Sequence, residues 1–541
     1  MVTLQDVVSV MPDIRLVNAF ERPYENAVAT ARTCYSSRGI VRTEDVSPDA
    51  TSGGSKGLDP AVAARRAALR DRIARSTFEA GHHTTLQHAH FQFALRGVSR
   101  HFLWTFLHSH PFYNSEQVSQ RYVEVKPGAV VVPPLEGEAR AVFGRRVREQ
   151  MEEYRALIEQ LVPVCEHAYF ERFRARRARR ERYGREIRKR AQEIARYVLP
   201  VATEAWLYHT VSGLTLLRYW RMAETFDAPW EQRRVVGRMV DLLLEADPNF
   251  AKILQEPLPL EATPEYAFFE AGGLADRRRR AGRDAWAQAF DASLDGRISR
   301  LVDWKARSEE VTAQAVRDVL GLPASALGDD DAIALVLDPA RNGLLGETMN
   351  VSTLAKLTRT LHHAGYTFRK RLSHTADSQD QRHRMTPASR PALFAYLSDG
   401  PDHVTPALVA GDEALSRSFD ESMVRTWEAI HELERLGVAA QFRAYLLPNA
   451  VSIRFTESCD LLNLHHKLKA RLCYNAQEEI WRASRDEAEQ VRAVHPRLGR
   501  FLLPPCGLRH RAGRAPRCPE GSRYCGVRVW TLDPGTYARV L

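Results

Sequence analysis

The chain has 541 residues, 44% hydrophobic and 27% charged, with a formal net charge of +10 and seven cysteines. This length predicts two or three domains with ample buried core, and the composition is that of an ordinary globular protein. It contains no apolar run of about eighteen residues, which excludes a helical membrane span. Met1–Asp6 lacks the basic and apolar regions of a signal peptide, and the few irregularly spaced cysteines point to a reducing cytoplasm rather than a disulfide scaffold.

The first fifty residues mix short apolar runs with a helix-like stretch around Arg32-Thr33-Cys34-Tyr35. Ser52–Gly57 reads as a flexible loop, and a helix from Pro60 to Ala80 is stopped by Gly81. His90–Leu95 alternates like a strand, Val98–Leu107 reads as a buried helix, and Ala129–Pro134 makes an extended exit. Long helices are expected from Glu138 to Ala246. Between Arg172 and Arg190 there are eleven Arg or Lys against two acidic residues. No aromatic interleaving or nucleic-acid motif accompanies them, so a solvated helix face is preferred to a nucleic-acid surface. Residues 276–340 read as a helical connector joining a first unit, 1–275, to a second, mainly helical unit, 341–503. From Pro504 the tail turns to Cys, Pro, Gly and Arg.

The chain shows internal repetition. Arg369-Lys370-Arg371 lies over His108-Ser109-His110, and Asp380-Gln381-Arg382-His383 over Ser119-Gln120-Arg121-Tyr122, without a gap and 261 residues apart. At a second offset of 248, Leu199-Pro200 matches Leu447-Pro448, each expected to open a long apolar helix, and Ala228–Glu231 matches Ala476–Glu479. Two matches in the same order point to duplication.

The chemistry of these motifs points to an anion. Arg121 and Arg382 sit in polar loops where a guanidinium fork takes a phosphate, and Ser119 adds a hydroxyl. Seven histidines from His82 to His110 crowd into about thirty residues, but without the spacing of a metal hydrolase; that class stays a minor alternative. In the tail, Cys506, His510, Cys518 and Cys525 are four soft ligands in a short irregular segment, the pattern of a structural zinc site. No dinucleotide-binding glycine loop, P-loop or nucleophile elbow is present.

These residues resemble the flavin-dependent thymidylate synthase family, whose signature is Arg-His-Arg followed seven residues later by Ser-x-Arg-Tyr. Ser119-Gln120-Arg121-Tyr122 is similar to that loop, with Glu116 at an acidic family position and Val118 as a one-residue insertion. Gly81–His88 resembles Gly-His-x-Thr-Pro-Phe-Glu-His, and Phe91-x-Phe93, Gly97–Arg100 and Arg32–Tyr35 follow the family pattern. In the second half Leu447-Pro448, Arg454, Arg471 and Ala476–Ile480 keep the spacing of Leu-Pro, a phosphate-side arginine, a base-side arginine and Ala-Gln-Trp-Glu-Ile. The departures are reciprocal. His108-Ser109-His110 stands for Arg-His-Arg in the first half, while Trp206 and Ala223 stand at the two arginine positions.

The resemblance implies an α+β fold of two tandem synthase-like units, each a mixed sheet layered with long helices. It implies FAD as cofactor, NADPH and methylenetetrahydrofolate as co-substrates, and dUMP converted to dTMP without a protein nucleophile. Because family members are implied to be homotetramers with interfacial sites, a fused duplicate is expected as a homodimer forming a pseudo-tetramer. One working site is expected to draw on both halves. Glu116, Ser119, Gln120, Arg121 and Tyr122 meet Arg454 and Arg471 around dUMP, with Arg471 acting on the uracil. The expected cofactor residues are His82, Thr84, His88, His108, His110, Arg369, Lys370 and Arg371. The alternative is a degenerate homologue that binds nucleotide or flavin without catalysis.

Overall fold

A computed structural model describes residues 9–48, 59–266 and 277–539. The expected Ser52–Gly57 loop lies outside them. The chain builds two four-stranded sheets, ordered β1-β2-β4-β3 and β5-β6-β8-β7. The strands are β1 Asp13–Ala19, β2 His90–Ser99, β3 Tyr113–Gln117, β4 Glu204–Ser212, β5 Ser299–Trp304, β6 Gly365–Ser373, β7 Ala388–Ser389 and β8 Ser452–Asp460. The α+β architecture in tandem units is as expected; the pairing within each sheet is antiparallel throughout rather than mixed.

Local chemistry explains several elements. The helix Pro60–Glu79 begins where Asp59 accepts from Ala61 N and ends at Gly81, whose φ of +77° suits glycine. β2 carries a bulge at Gly97, where a Cβ would lie 2.2 Å from the Met11 carbonyl oxygen; only glycine fits that approach. Ser99 then caps the buried helix Arg100–His108 through the Phe102 N–H.

Three expectations change. The run from Glu138 to Ala246 holds long helices, Gly137–Arg172 among them, but β4 interrupts it. Leu199-Pro200 and Leu447-Pro448 lead into strands β4 and β8, not directly into helices. Nor are residues 276–340 a purely helical connector, because β5 within them is the first strand of the second sheet. In β4 burial alternates but hydropathy does not, because the exposed face carries the rings of Trp206 and Tyr208, which hides the strand signal.

The fold also resets the repeat. β2 and β6 occupy the same place in their sheets, and Ser99 and Ser373 both end the strand and cap the following helix. They are 274 residues apart. On that register Arg382-His383-Arg384, not Arg369-Lys370-Arg371, is the counterpart of His108-Ser109-His110.

The two units cross about a local pseudo-twofold axis at Pro200 and Pro448, which face each other in an antiparallel bridge. Val201 N donates to Leu447 O at 2.8 Å and Asn449 N to Leu199 O at 2.8 Å; Ala202 N donates to Tyr445 O and Ala450 N to Tyr197 O. Beside this crossing each unit lends a tyrosine to the other. Ser99 N and Oγ donate to the Glu231 carboxylate at 2.7 and 2.6 Å, and Tyr445 OH joins them at 2.7 Å. In mirror fashion Ser373 N and Oγ donate to Glu479 at 2.6 Å each, with Tyr197 OH at 2.5 Å. A shared apolar core runs from Trp104 through the Gly137–Arg172 helix to Phe455 and Ile480, with separate cores under each sheet.

Glu479→Ala leaves three buried donors without an acceptor, and should cost about 3 kcal/mol or more in unfolding experiments, with Glu479→Gln milder. Buried Asp227 gives a second test. Burial raises its carboxyl to about 7, and its Oδ2 has no hydrogen-bond partner among the described residues. The folded chain therefore holds a proton that the unfolded chain releases near the ordinary carboxylate value. The resulting stability is full below that value and is lost as pH rises through about 7. Asp227→Asn should raise the melting temperature at pH about 8 and change it little at pH about 4.

Candidate active site at the groove between the units

The first unit's Ser119–Tyr122 loop and the second unit's Arg382-His383-Arg384 meet across one groove. Arg382 pairs with Glu116 at 3.0 Å. Arg384 donates to Pro111 O at 3.0 Å, and its guanidinium lies 4.9 Å from the centre of the Tyr113 ring. A cavity of about 330 Å³ opens here, lined by Gln92, Tyr113, Glu116, Gln117, Tyr208, Thr210, Arg382 and Arg384, among others. A neighbouring, more open cavity of about 750 Å³ shares Glu116, Gln117 and Tyr208 and adds Trp206.

Deeper in the groove a pocket of about 50 Å³ is lined by Arg100, Ser119, Gln120, Arg196, Gln379, Arg382 and Asn449, with no carboxylate in its wall. Burial, then Arg196, lowers the Arg100 guanidinium to about 9; burial likewise lowers Arg196. Arg100 is held by neutral partners, the Gln117 amide and the Val118 carbonyl, whereas Glu193 partly offsets the cost to Arg196. Buried Gln120 spends its Oε1 on Asn449 Nδ2 at 3.2 Å.

Arg121 and Arg471 close the inner end. Arg121 Nε donates to Glu193 at 2.9 Å and its NH2 to Asn475 O at 2.7 Å. Burial pushes the Glu193 carboxyl up, but Arg121, Arg190 and Arg196 outweigh it and pull it to about 2. Arg471 Nε donates to His383 Nε2 at 2.8 Å and its NH2 to Gln379 O at 2.6 Å. Burial is the main cause that lowers Arg471 to about 10, with Arg121 and Arg382 adding like-charge repulsion. Tyr122 is exposed, 5.5 Å from the Arg121 guanidinium.

Of the expected substrate residues, the groove gathers Glu116, Ser119, Gln120, Arg121 and Arg471. It does not gather Arg454, which forks onto Asp291 and Asp402 at 2.7 Å each, with Arg283 and Arg371 around the same two acids. This is a different place, the outer face of the second sheet, which the Arg277–Ser293 helix covers; there Arg369 stacks on Phe290 at 4.0 Å. Lys370 is buried among Asp380, Glu457 and Glu487 at 3.1, 2.8 and 2.6 Å, with Lys467 in the same cluster. Arg369, Lys370 and Arg371 are thus strand residues tied to protein carboxylates and a ring.

His108 is half-buried with its ring against Trp104 at 4.5 Å, and desolvation drives its imidazole well below the ordinary value. His110 packs between Phe112 and Tyr219. His82, Thr84 and His88 are exposed around the His83–His88 turn and line none of the three groove cavities. In the tail, His510 is exposed while Cys506, Cys518 and Cys525 are half-buried. The described residues hold no ready metal-coordinating group of three or more His, Cys, Asp or Glu.

Sequence reasoning missed Arg382-His383-Arg384 as a unit, although the literal tripeptide is present. Eight residues past its end, where the signature has Ser-x-Arg-Tyr, stand Ala392-Leu393-Phe394-Ala395. One unit keeps the tripeptide and the other keeps the loop.

The profile of the thymidylate synthase complementing protein family matches residues 15–249 and 300–497. The chain belongs to this family, as two tandem copies of its unit. It is 25% identical over 243 residues to the flavin-dependent thymidylate synthase of Clostridium tetani, covering 44% of this chain and 85% of that protein. With the enzyme of the same name from Geobacter sulfurreducens it shares 29% over 169 residues, covering 31% and 70%. Among solved structures, the UMP/dUMP methylase PolB from Streptomyces cacaoi bound with 5-Br dUMP is 19% identical, with a TM-score of 0.30, covering 44% and 95%. The Helicobacter pylori flavin-dependent thymidylate synthase complexed with FAD and dUMP is 16% identical, with a TM-score of 0.29, covering 38% and 99%.

Because Arg454 neutralises Asp291 and Asp402, Arg454→Met should lower the melting temperature by several degrees. Nucleotide binding, measured by calorimetry, should be unchanged.

Proposed function

We propose that the chain is an FAD-dependent thymidylate synthase that methylates dUMP to dTMP with methylenetetrahydrofolate and NADPH, using one composite site per chain. The observation that carries this reading is the convergence of Arg382-His383-Arg384 from one unit with Ser119-Gln120-Arg121 from the other. Each unit lacks one half of the signature, and the groove between them restores it.

The lining fits both ligands. Arg382 and Arg384 offer charge to a dinucleotide's phosphates, and Tyr113, Tyr208 and Trp206 offer ring faces in two adjoining cavities. FAD, when bound, supplies the hydride. Ser119 and Gln120, with Arg100, Arg196 and Arg121, take the dUMP phosphate; Ser119 is a ligand contact and not a nucleophile. Arg471 faces the uracil and stabilises negative charge on its carbonyl oxygen. His383 orients Arg471 through their 2.8 Å hydrogen bond.

Two chains pair as a dimer in this reading. The first sheet's outer face leaves Trp206 and Tyr208 exposed, whereas the second sheet's matching face is already covered by the Arg277–Ser293 helix. No helix among the described residues is long and apolar enough to cross a membrane; a cytoplasmic enzyme agrees with that.

One observation favours a second reading, a homologue that binds flavin or nucleotide without turnover. Arg121 and Arg471 already have protein partners, and the pocket of about 50 Å³ is smaller than a nucleotide. The purified chain should be yellow, carry one FAD, and release tritium from 5-tritiated dUMP with NADPH and methylenetetrahydrofolate. Arg384→Ala should lose flavin, and Arg471→Ala should weaken dUMP binding at least tenfold, or about 1.4 kcal/mol. A yellow protein that releases no tritium selects the second reading, and a colourless protein that neither binds added FAD nor turns over ends both.

A further inference from the structure

The C-terminal segment beyond Pro504 has one short helix, Pro505–Arg511, and three single turns. It lies against the second unit's loop between the helices Leu461–Arg471 and Glu478–Val494. Cys506, Cys525 and Val527 pack on a small cluster of Tyr474, Ala476, Trp481, Val529 and Tyr537. Asn475 Nδ2 donates to Arg523 O at 2.6 Å and reaches Glu520 Oε2 at 3.4 Å. These contacts bring the loop residue Cys473 to the segment that carries Cys518 and Cys525.

We propose that Cys473, Cys506, Cys518 and Cys525 form a structural zinc site that staples the tail to the wall of the groove. All four are free and half-buried. Cys506 and Cys525 pack on one cluster with Tyr474, the neighbour of Cys473, and Cys518 lies two residues before Glu520, which meets Asn475 on the same loop. Four soft ligands on short turns with little apolar core are the setting in which Zn²⁺ contributes folding free energy. Binding displaces four thiol protons and forms four Zn–S bonds, with no change of oxidation state.

The structure alters the ligand set expected from spacing. His510 is exposed at the end of its short helix, whereas half-buried Cys473 comes from the second unit. The four side chains do not yet form a ready coordination sphere, so the ion must draw the sulfurs inward. The staple has a consequence for the groove. Cys473 lies two residues after Arg471 and two before Asn475, whose carbonyl receives Arg121. A metal at Cys473 would fix the loop on which both arginines depend.

The test is metal analysis of the full-length chain purified under reducing conditions. One zinc per chain is expected, released by a thiol-blocking mercurial. Cys473→Ser and Cys518→Ser should each lose it, and His510→Ala should keep it. Should the serine variants be insoluble, Co²⁺ exchanged into the wild-type chain should give the intense thiolate charge-transfer and tetrahedral bands of a four-sulfur site. A reduced protein that neither contains zinc nor takes it up overturns the proposal, as do a mixed nitrogen–sulfur cobalt spectrum or a thiol count showing two disulfides. Zinc content is read independently of flavin or turnover, so this result and that of the proposed activity are separable.

Discussion

The structure depends on the crossing at Pro200 and Pro448. There each unit completes the other's backbone pairing and donates a tyrosine to the other's buried glutamate. A carboxylate buried with three donors is stable only while all of them stay in place. Burial raises both Glu231 and Glu479, so each unit depends on its neighbour to hold a charge that neither accommodates alone. The crossing therefore fixes the relative position of the units and, with it, the groove.

Duplication around such an axis creates two equivalent positions, and side-chain charge has made them unequal. At one, Arg382, Arg384, Arg121 and Arg471 converge; Arg382 meets Glu116 and Arg121 meets Glu193, while Arg471 is held by the His383 ring and the Gln379 carbonyl. At the other, His108 is packed against Trp104, and Asp377 takes both Trp104 and a bidentate Arg390. The second sheet shows the same sealing, with Asp291 and Asp402 occupying Arg454. An arginine already forked onto two carboxylates has little to offer a phosphate.

The α+β class, the duplication and the Ser119–Tyr122 loop were legible in the sequence, because each is carried by neighbouring residues whose spacing survives. Strand β4 was not, since Trp206 and Tyr208 put apolar rings on its exposed face; β8 does alternate Ile453 and Phe455 with Arg454 and Thr456, a strand signal that the expectation of a helix after Leu447-Pro448 overrode. The match that placed Arg369-Lys370-Arg371 over His108-Ser109-His110 compared clusters of charge. The fold compares the Ser99 and Ser373 caps, which carry a conformational requirement and so hold the true register.

Spacing also named all three tail thiols, whereas Cys473 belongs to the second unit and comes near them only through space. By itself the sequence determined which chemical groups are available: two incomplete signatures, a surplus of arginines and a thiol-rich tail. Tertiary structure decided which of those arginines remain open to a ligand. Arg454 and Arg471 look alike along the chain; one lies beside two aspartates and the other beside a histidine and a carbonyl. A guanidinium's availability is set by the charges that surround it in space, and sequence separation does not report them.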